Sequence, residues 1–174
     1  MKRWLWSAAP LGLFLLLAVI MWRGLALDPR ALPSAREGKM LPEFNIPVLY
    51  TESGMKNELP GQWFILNVWA SWCDACIEEQ SFLLKLKRSG VHLYGLSYKD
   101  STEKALNWLK TWGNPYRMIW QDFDGHTAID LGVYGAPESF LIDSSGRIVY
   151  RHVGVLDQKS WQNEFVPRIK KYAM

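Results

Sequence analysis

Cysteine is almost missing from this chain: Cys73 and Cys76 are the only two in 174 residues. A disulfide framework is thereby excluded, and a chain of this size can bury a real core without one. Histidine is scarce too, and the three present, His92, His126 and His152, show no tight pairing in sequence. A zinc centre would have to combine the two thiols with these scattered histidines or with carboxylates. Internal repeats and low-complexity tracts are lacking, which removes repeat architectures from consideration. Excess charge is lacking as well. The formal +3 traces to Lys2, Arg3 and Arg23, because the 20 basic residues less these three balance the 17 acidic ones. From Asp28 onward the chain is formally neutral, so no basic face for nucleic acid is implied.

What the chain does have is an uncharged N-terminal run from Trp4 to Trp22, about the length a helix needs to cross a bilayer core. Trp4, Trp6 and Trp22 lie near its ends, where aromatic rings favour the membrane interface. Lys2 and Arg3 favour a cytoplasmic N-terminus, although Arg23 blunts the asymmetry, and the bulk of the chain is then exported. A signal peptide needs small residues at its cleavage site, and "RGLALDPRALPSA" offers only poor matches. The reading is an uncleaved transmembrane anchor over residues 1–27, with a cleaved signal peptide and a buried N-terminal helix as alternatives. Rich in proline and charge, and without apolar period, the stretch after it reads as a tether over 28–37, followed by one domain over 38–174.

Within that domain "PEFNIPVLY" supplies an edge strand, since Pro42 and Pro47 argue against a central place. "WFILNVWA" is a nearly continuous apolar, β-prone run that suits a strand buried on both faces. Helical spacing follows at Ile77, Phe82, Leu83, Leu84 and Leu86, with Gly90 as the stop. "VHLYGLSY" is a strand, "STEKALNWLKTWG" a helix capped by Ser101 or Thr102, "YRMIWQ" a short strand and "GHTAIDLGV" a short helix. "ESFLIDSSGRIVYRHVG" forms a hairpin, and residues 157–172 close the chain as a helix. Alternating strands and helices predict an α/β layered domain with a mixed sheet.

The two cysteines fall at the turn between the buried strand and the first domain helix. Cross-linking so short a loop removes little unfolded-state entropy, so the pair is there for its chemistry or is incidental. An exported C-x-x-C after a strand and at the start of a helix is the arrangement of a thioredoxin-like redox site. Unpaired N–H groups and the positive end of the helix dipole stabilise a thiolate at Cys73, and Cys76, one turn later, is placed to attack the mixed disulfide. Soft thiols also suit Cu(I), which keeps a copper-delivery or docking module open as a reading of another class.

"NVWASWCDAC", together with "GLSYKD", "WGNPY", "LGVYGAPESFLID" and "GRIVYRHVG", resembles the membrane-tethered thioredoxins of cytochrome c maturation known as CcmG or DsbE. The resemblance implies a thioredoxin-like fold behind one N-terminal transmembrane helix, in the inner membrane with the domain in the periplasm. It implies a thiol:disulfide oxidoreductase with Cys73 as the exposed attacking thiol, Cys76 as the resolving one, and no metal or bound cofactor. Pro137 matches the family's cis proline opposite the cysteines, Trp72 the aromatic beside the nucleophile, and Glu79 and Glu138 its acidic residues around the site. The implied substrate is a disulfide in the haem-attachment CxxCH segment of apocytochrome c, reduced directly or through a partner thiol protein. An integral-membrane thiol carrier would be the electron donor. A general periplasmic reductase is the alternative within the enzyme class.

Each of these side chains also has a plain structural role open to it: Trp72 as a packing aromatic, Glu79 as a solvated helix residue, Glu138 as a strand residue. Tyr98, Lys99 and Asp100 end a strand near the same edge. Two positions depart from the pattern. Ordinary thioredoxins carry a buried aspartate six residues before the first cysteine, where this chain has Asn67. Asparagine cannot accept a proton, so a general base must come from Glu79 or Glu138, or Asn67 simply hydrogen-bonds in the core. Asp74 replaces a proline. Its carboxylate beside Cys73 disfavours the thiolate and makes the couple more reducing, with helix capping as its rival role.

Overall fold

The computed structural model describes residues 2–25, 36–52 and 61–172. Two compact units divide the chain, Met1–Pro33 and Ser34–Met174. In the first, helix α1 spans Lys2–Leu25, in the region where the uncharged run predicts one. Among the described residues no helix is long and apolar enough to cross a membrane, which departs from the expected transmembrane anchor. Helix α1 is 24 residues long, and its side chains are described over 10–24. Apart from Arg36 and Glu37, the expected tether lies outside the described residues.

The second unit runs β1 (Val48–Thr51), β2 (Phe64–Trp69), α2 (Asp74–Arg88), β3 (Leu93–Tyr98), α3 (Thr102–Trp112), β4 (Met118–Asp122), α4 (His126–Leu131), β5 (Glu138–Ile142) and β6 (Ile148–Val153). Two short helices, α5 (Gln158–Ser160) and α6 (Val166–Tyr172), end it, joined by a π-helical stretch over Trp161–Phe165. The sheet order is β1-β4-β3-β2-β5-β6. β2, β3 and β4 are mutually parallel, while β1, β5 and β6 join antiparallel. The mixed sheet is thus the predicted one. β2 lies between β3 and β5 with every residue buried, as its unbroken apolar run requires. β1 lies at the edge behind Pro47, whose carbonyl accepts the Gln121 amide at 2.8 Å.

Strand alternation sorts the core into two clusters. Phe64, Leu66 and Val68 pack with Tyr94, Leu96, Met118 and Phe140. Ile65 and Trp69 pack with Leu83 and Leu86 of α2, Trp108 of α3, and Trp161 and Phe165 of the tail. Both cysteines belong to the second cluster. Asn67 falls between Ile65 and Trp69 in the alternation, so its side chain shares their face.

The predicted caps form. The Ser101 hydroxyl accepts the Lys104 amide at 3.3 Å, and Gly90, at φ 86°, follows the last residues of α2. The tail differs from the single helix that its apolar spacing predicts. Pro167 has no N–H to give Asn163, and just before it the Val166 amide bonds to Trp161, five residues back. The wider turn lets Trp161 and Phe165 stack at 5.5 Å.

Gly95 of β3 stands at a crowded point of the α2-side core. A Cβ there would lie 2.9 Å from the Trp69 indole nitrogen and 3.1 Å from the Tyr116 ring, and those rings stack at 5.7 Å. Gly95→Ala is expected to cost about 1–3 kcal/mol as overpacking, read from the midpoint of denaturant unfolding.

Candidate active site

The cysteines stand where β2 hands over to α2. Cys73 is the N-cap, with extended backbone at φ −95° and ψ 101°, and its Sγ accepts the Cys76 amide at 3.1 Å. The two sulfurs are joined as a disulfide, with Cα atoms 5.3 Å apart. Cys73 is 5% exposed and Cys76 1%, so Cys73 is the more accessible residue of the pair.

The turn that carries Cys73 is fastened to the end of β3. The Asp100 carboxylate accepts the Ser71 amide at 2.6 Å, the Ser71 hydroxyl at 2.8 Å and the Ser101 amide at 2.8 Å. The Trp72 indole, 53% exposed, donates to the Lys99 carbonyl at 3.0 Å, and its ring lies 6.2 Å from that of Tyr98. Lys99 adopts a left-handed conformation, φ 48°. The Gln121 side chain in turn donates to the Asp100 carbonyl at 2.9 Å.

Beneath the cysteines lies a buried polar cluster. Glu79 sits one helical turn past Cys76 on α2, 1% exposed. Its Oε1 accepts from Asn67 Nδ2 and its Oε2 from the Leu156 amide, both at 2.9 Å. Asn67 Nδ2 also reaches the Ser139 hydroxyl at 3.1 Å, and Asn67 Oδ1 accepts from the Tyr116 hydroxyl at 2.5 Å. Burial pushes the Glu79 carboxyl up to about 7, against the opposing pull of the Leu156 and Asn67 donors. The Tyr116 hydroxyl is pushed well above its ordinary range, by burial and then by the charge of Glu79.

Comparison with known proteins places this geometry. A family model described as the AhpC/TSA family matches residues 38–151. The chain is 46% identical to a thiol:disulfide interchange protein DsbE of Pseudomonas fluorescens biotype C, over 97% of this chain and 94% of the relative. The chain belongs to the DsbE family. The DsbE protein of Pseudomonas aeruginosa is 45% identical over 91% of this chain and 89% of its own. A solved structure named as a DsbE protein from Chlorobium tepidum, 25% identical, matches with a TM-score of 0.59 over 79% of this chain and 98% of that one. A secreted thiol-disulfide isomerase of Corynebacterium glutamicum, 21% identical, shares the fold with a TM-score of 0.64 over 83% of this chain and 96% of its own. The DsbE-family domain is thioredoxin-like, and the chain is a thiol:disulfide oxidoreductase with the Cys73–Cys76 disulfide at its turn.

In this DsbE-family chain the expected site residues fall into three places. Trp72 and Asp74 are exposed at the turn, Asp74 opening α2. Asn67 and Glu79 join in the buried cluster. Ala136–Pro137 is a cis peptide at the start of β5, and Glu138 follows it. Glu138 pairs with Val68 in register, not with Asn67, so its side chain leaves the sheet on the face away from Glu79. Its carboxylate accepts from Arg151 Nε at 2.7 Å and Nη2 at 2.9 Å, and from the Tyr134 and Gly135 amides at 2.9 and 3.3 Å. The Arg151 guanidinium also lies over the Tyr134 ring at 4.5 Å. These donors stiffen the loop that delivers Pro137.

Sequence reasoning missed Tyr116, Leu156 and Arg151. Tyr116 stands inside the quoted "WGNPY", where the only signal was a large polar aromatic after a proline. A backbone amide such as that of Leu156 leaves no signal at all. Among the described residues no group of three or more His, Cys, Asp and Glu side chains is arranged to hold a metal ion. His92 contacts Gln62 and Arg117, and His152 contacts Glu164.

Proposed function

We propose that this chain is a membrane-anchored, periplasm-facing reductant of the haem-attachment disulfide of apocytochrome c. The observation that carries the redox part is the alignment of Cys73, Cys76 and buried Glu79 on successive turns at the start of α2. The Cys73 thiolate attacks a substrate disulfide, forming a mixed disulfide and releasing one substrate thiolate. Cys76 then gives its proton to Glu79 and attacks Cys73 Sγ, forming the Cys73–Cys76 disulfide and releasing the second substrate sulfur as a thiolate, which can take the proton back from Glu79 as it leaves. Two electrons and two protons from an integral-membrane thiol carrier restore the dithiol.

The bend before β5 presents backbone beside Pro137 to an extended substrate segment, and exposed Trp72 and Tyr134 offer it apolar contact. Support for the anchor comes from the uncharged run of α1 and from exposed Leu11, Phe14, Leu15, Val19 and Trp22, which show no single apolar stripe. Residues 1–27 are then the anchor, 28–37 the tether and 38–174 the periplasmic domain.

Equilibrating the full-length protein in mild detergent against defined thiol buffers tests this reading. A potential near that of thioredoxin, roughly −270 mV or lower, with reduction of a disulfide-bonded CxxCH peptide, is the expected result. A value near about −120 mV, the range of a strong oxidant, sinks the reductase assignment. Stoichiometric Cu(I) retention with little turnover would point to copper delivery instead.

A further inference from the structure

We infer that Tyr116 is a positioning residue for Glu79: its hydroxyl fixes the Asn67 amide so that the N–H side, not the carbonyl, faces the carboxylate. The inference deepens the proposed role of Glu79 and rests on that reading. A primary amide has one accepting and one donating end, and two neighbours here ask opposite things of it. The Tyr116 hydroxyl donates to Asn67 Oδ1 at 2.5 Å, which leaves Nδ2 to serve Glu79 Oε1 at 2.9 Å and Ser139 Oγ at 3.1 Å. With the amide reversed, its carbonyl would face the Glu79 carboxylate, and only a protonated Glu79 could bond to it.

Tyr116 is itself held for this task. It is fully buried, its ring stacks on Trp69 at 5.7 Å, and the missing side chain of Gly95, the β3 register partner of Asn67, leaves room for both rings. The Asn114 side chain accepts its backbone amide at 2.9 Å. The titratable groups facing Glu79 are Tyr116 from the segment before β4 and the cysteines from α2 itself. Asn67 and Ser139 of the sheet and the Leu156 amide are neutral neighbours. Tyr116 therefore favours the charged form of Glu79 without touching it, by orienting a donor.

The test follows the Glu79 carboxyl by carbon-13 NMR in the full-length oxidised protein, where the disulfide keeps both cysteines from titrating. The wild-type midpoint near 7 should rise by about half a pH unit or more in Tyr116→Phe, about threefold in proton affinity. The pH profile of Cys76-dependent release of a mixed disulfide should move with it. On an Asn67→Ala background the same Tyr116→Phe change should add nothing, because the amide that transmits it is gone. An unmoved midpoint in Tyr116→Phe, or an equal shift on the Asn67→Ala background, overturns the proposal and leaves Tyr116 as packing. Should Tyr116→Phe not fold, Asn67→Ala alone decides: its midpoint must rise with Tyr116 in place, and an unmoved one overturns the link. Glu79→Gln separates the two readings. A release profile unchanged by Glu79→Gln removes Glu79 from the reaction, while a shifted NMR midpoint in Tyr116→Phe still upholds the orienting role of Tyr116.

Discussion

Cys76→Ser yields a protein that attacks a substrate disulfide once and stops, accumulating as a mixed disulfide through Cys73, while Cys73→Ser forms no adduct. The asymmetry follows from where the sulfurs stand. Cys73 caps α2 at the surface end of the turn, where unpaired N–H groups and the helix dipole favour its thiolate. Cys76 lies within the first turn, essentially without exposure, and its natural target is Cys73 rather than an incoming protein. Multiple turnover should fall by roughly 10³-fold or more in either variant, because residues acting as one unit cannot replace each other. Non-reducing electrophoresis with a disulfide-bonded CxxCH peptide reads both results. An adduct trapped on Cys76 of Cys73→Ser, and none on Cys73 of Cys76→Ser, would reverse the assignment.

The oxidised protein is expected to lose stability as pH rises from 5 to 8 because of Glu79. Its carboxyl titrates at about 7 in the fold against an ordinary value of 4.5. Between those values the folded state holds a proton that the unfolded state has released, so stability falls with rising pH. The contribution is fully present below about pH 4.5 and is gone once pH has passed the folded value. A shift of this size corresponds to about 3 kcal/mol, an order-of-magnitude figure for a group this buried. Urea unfolding of the oxidised chain at pH 5 and pH 8 measures it, with Glu79→Gln expected to flatten that part of the slope. An identical slope in wild type and Glu79→Gln would show that Glu79 is charged in the fold throughout.

Local features were the legible ones. "WFILNVWA" announced a doubly buried strand because every one of its residues needed cover, and the C-x-x-C that followed announced a helix N-terminus. Ser101 was readable as a cap because capping acts within one turn. The proton-handling cluster was only half legible. Glu79 is spelled like the solvated Glu78 beside it, and only the fold separates them. What sets it apart is Leu156, 77 residues away, and a sheet face shared with Asn67 and Tyr116. Glu138 and Arg151 lie on adjacent strands of a predicted hairpin, yet their pairing depends on a register that alternation alone does not number. The π-helical stretch of the tail depends on how two aromatics seat in a finished core, which spacing does not encode.

The Leu156 amide also ties the redox centre to the carboxy-terminal segment. Glu79 owes its dryness and one of its two donors to a residue just ahead of α5, and Trp161 and Phe165 fill the same cluster as the cysteines. The last helices are thus the floor of the catalytic chamber rather than trim. A tag, fusion or truncation that lifts them would let water in and return Glu79 to everyday acidity, leaving both cysteines in place but mistimed.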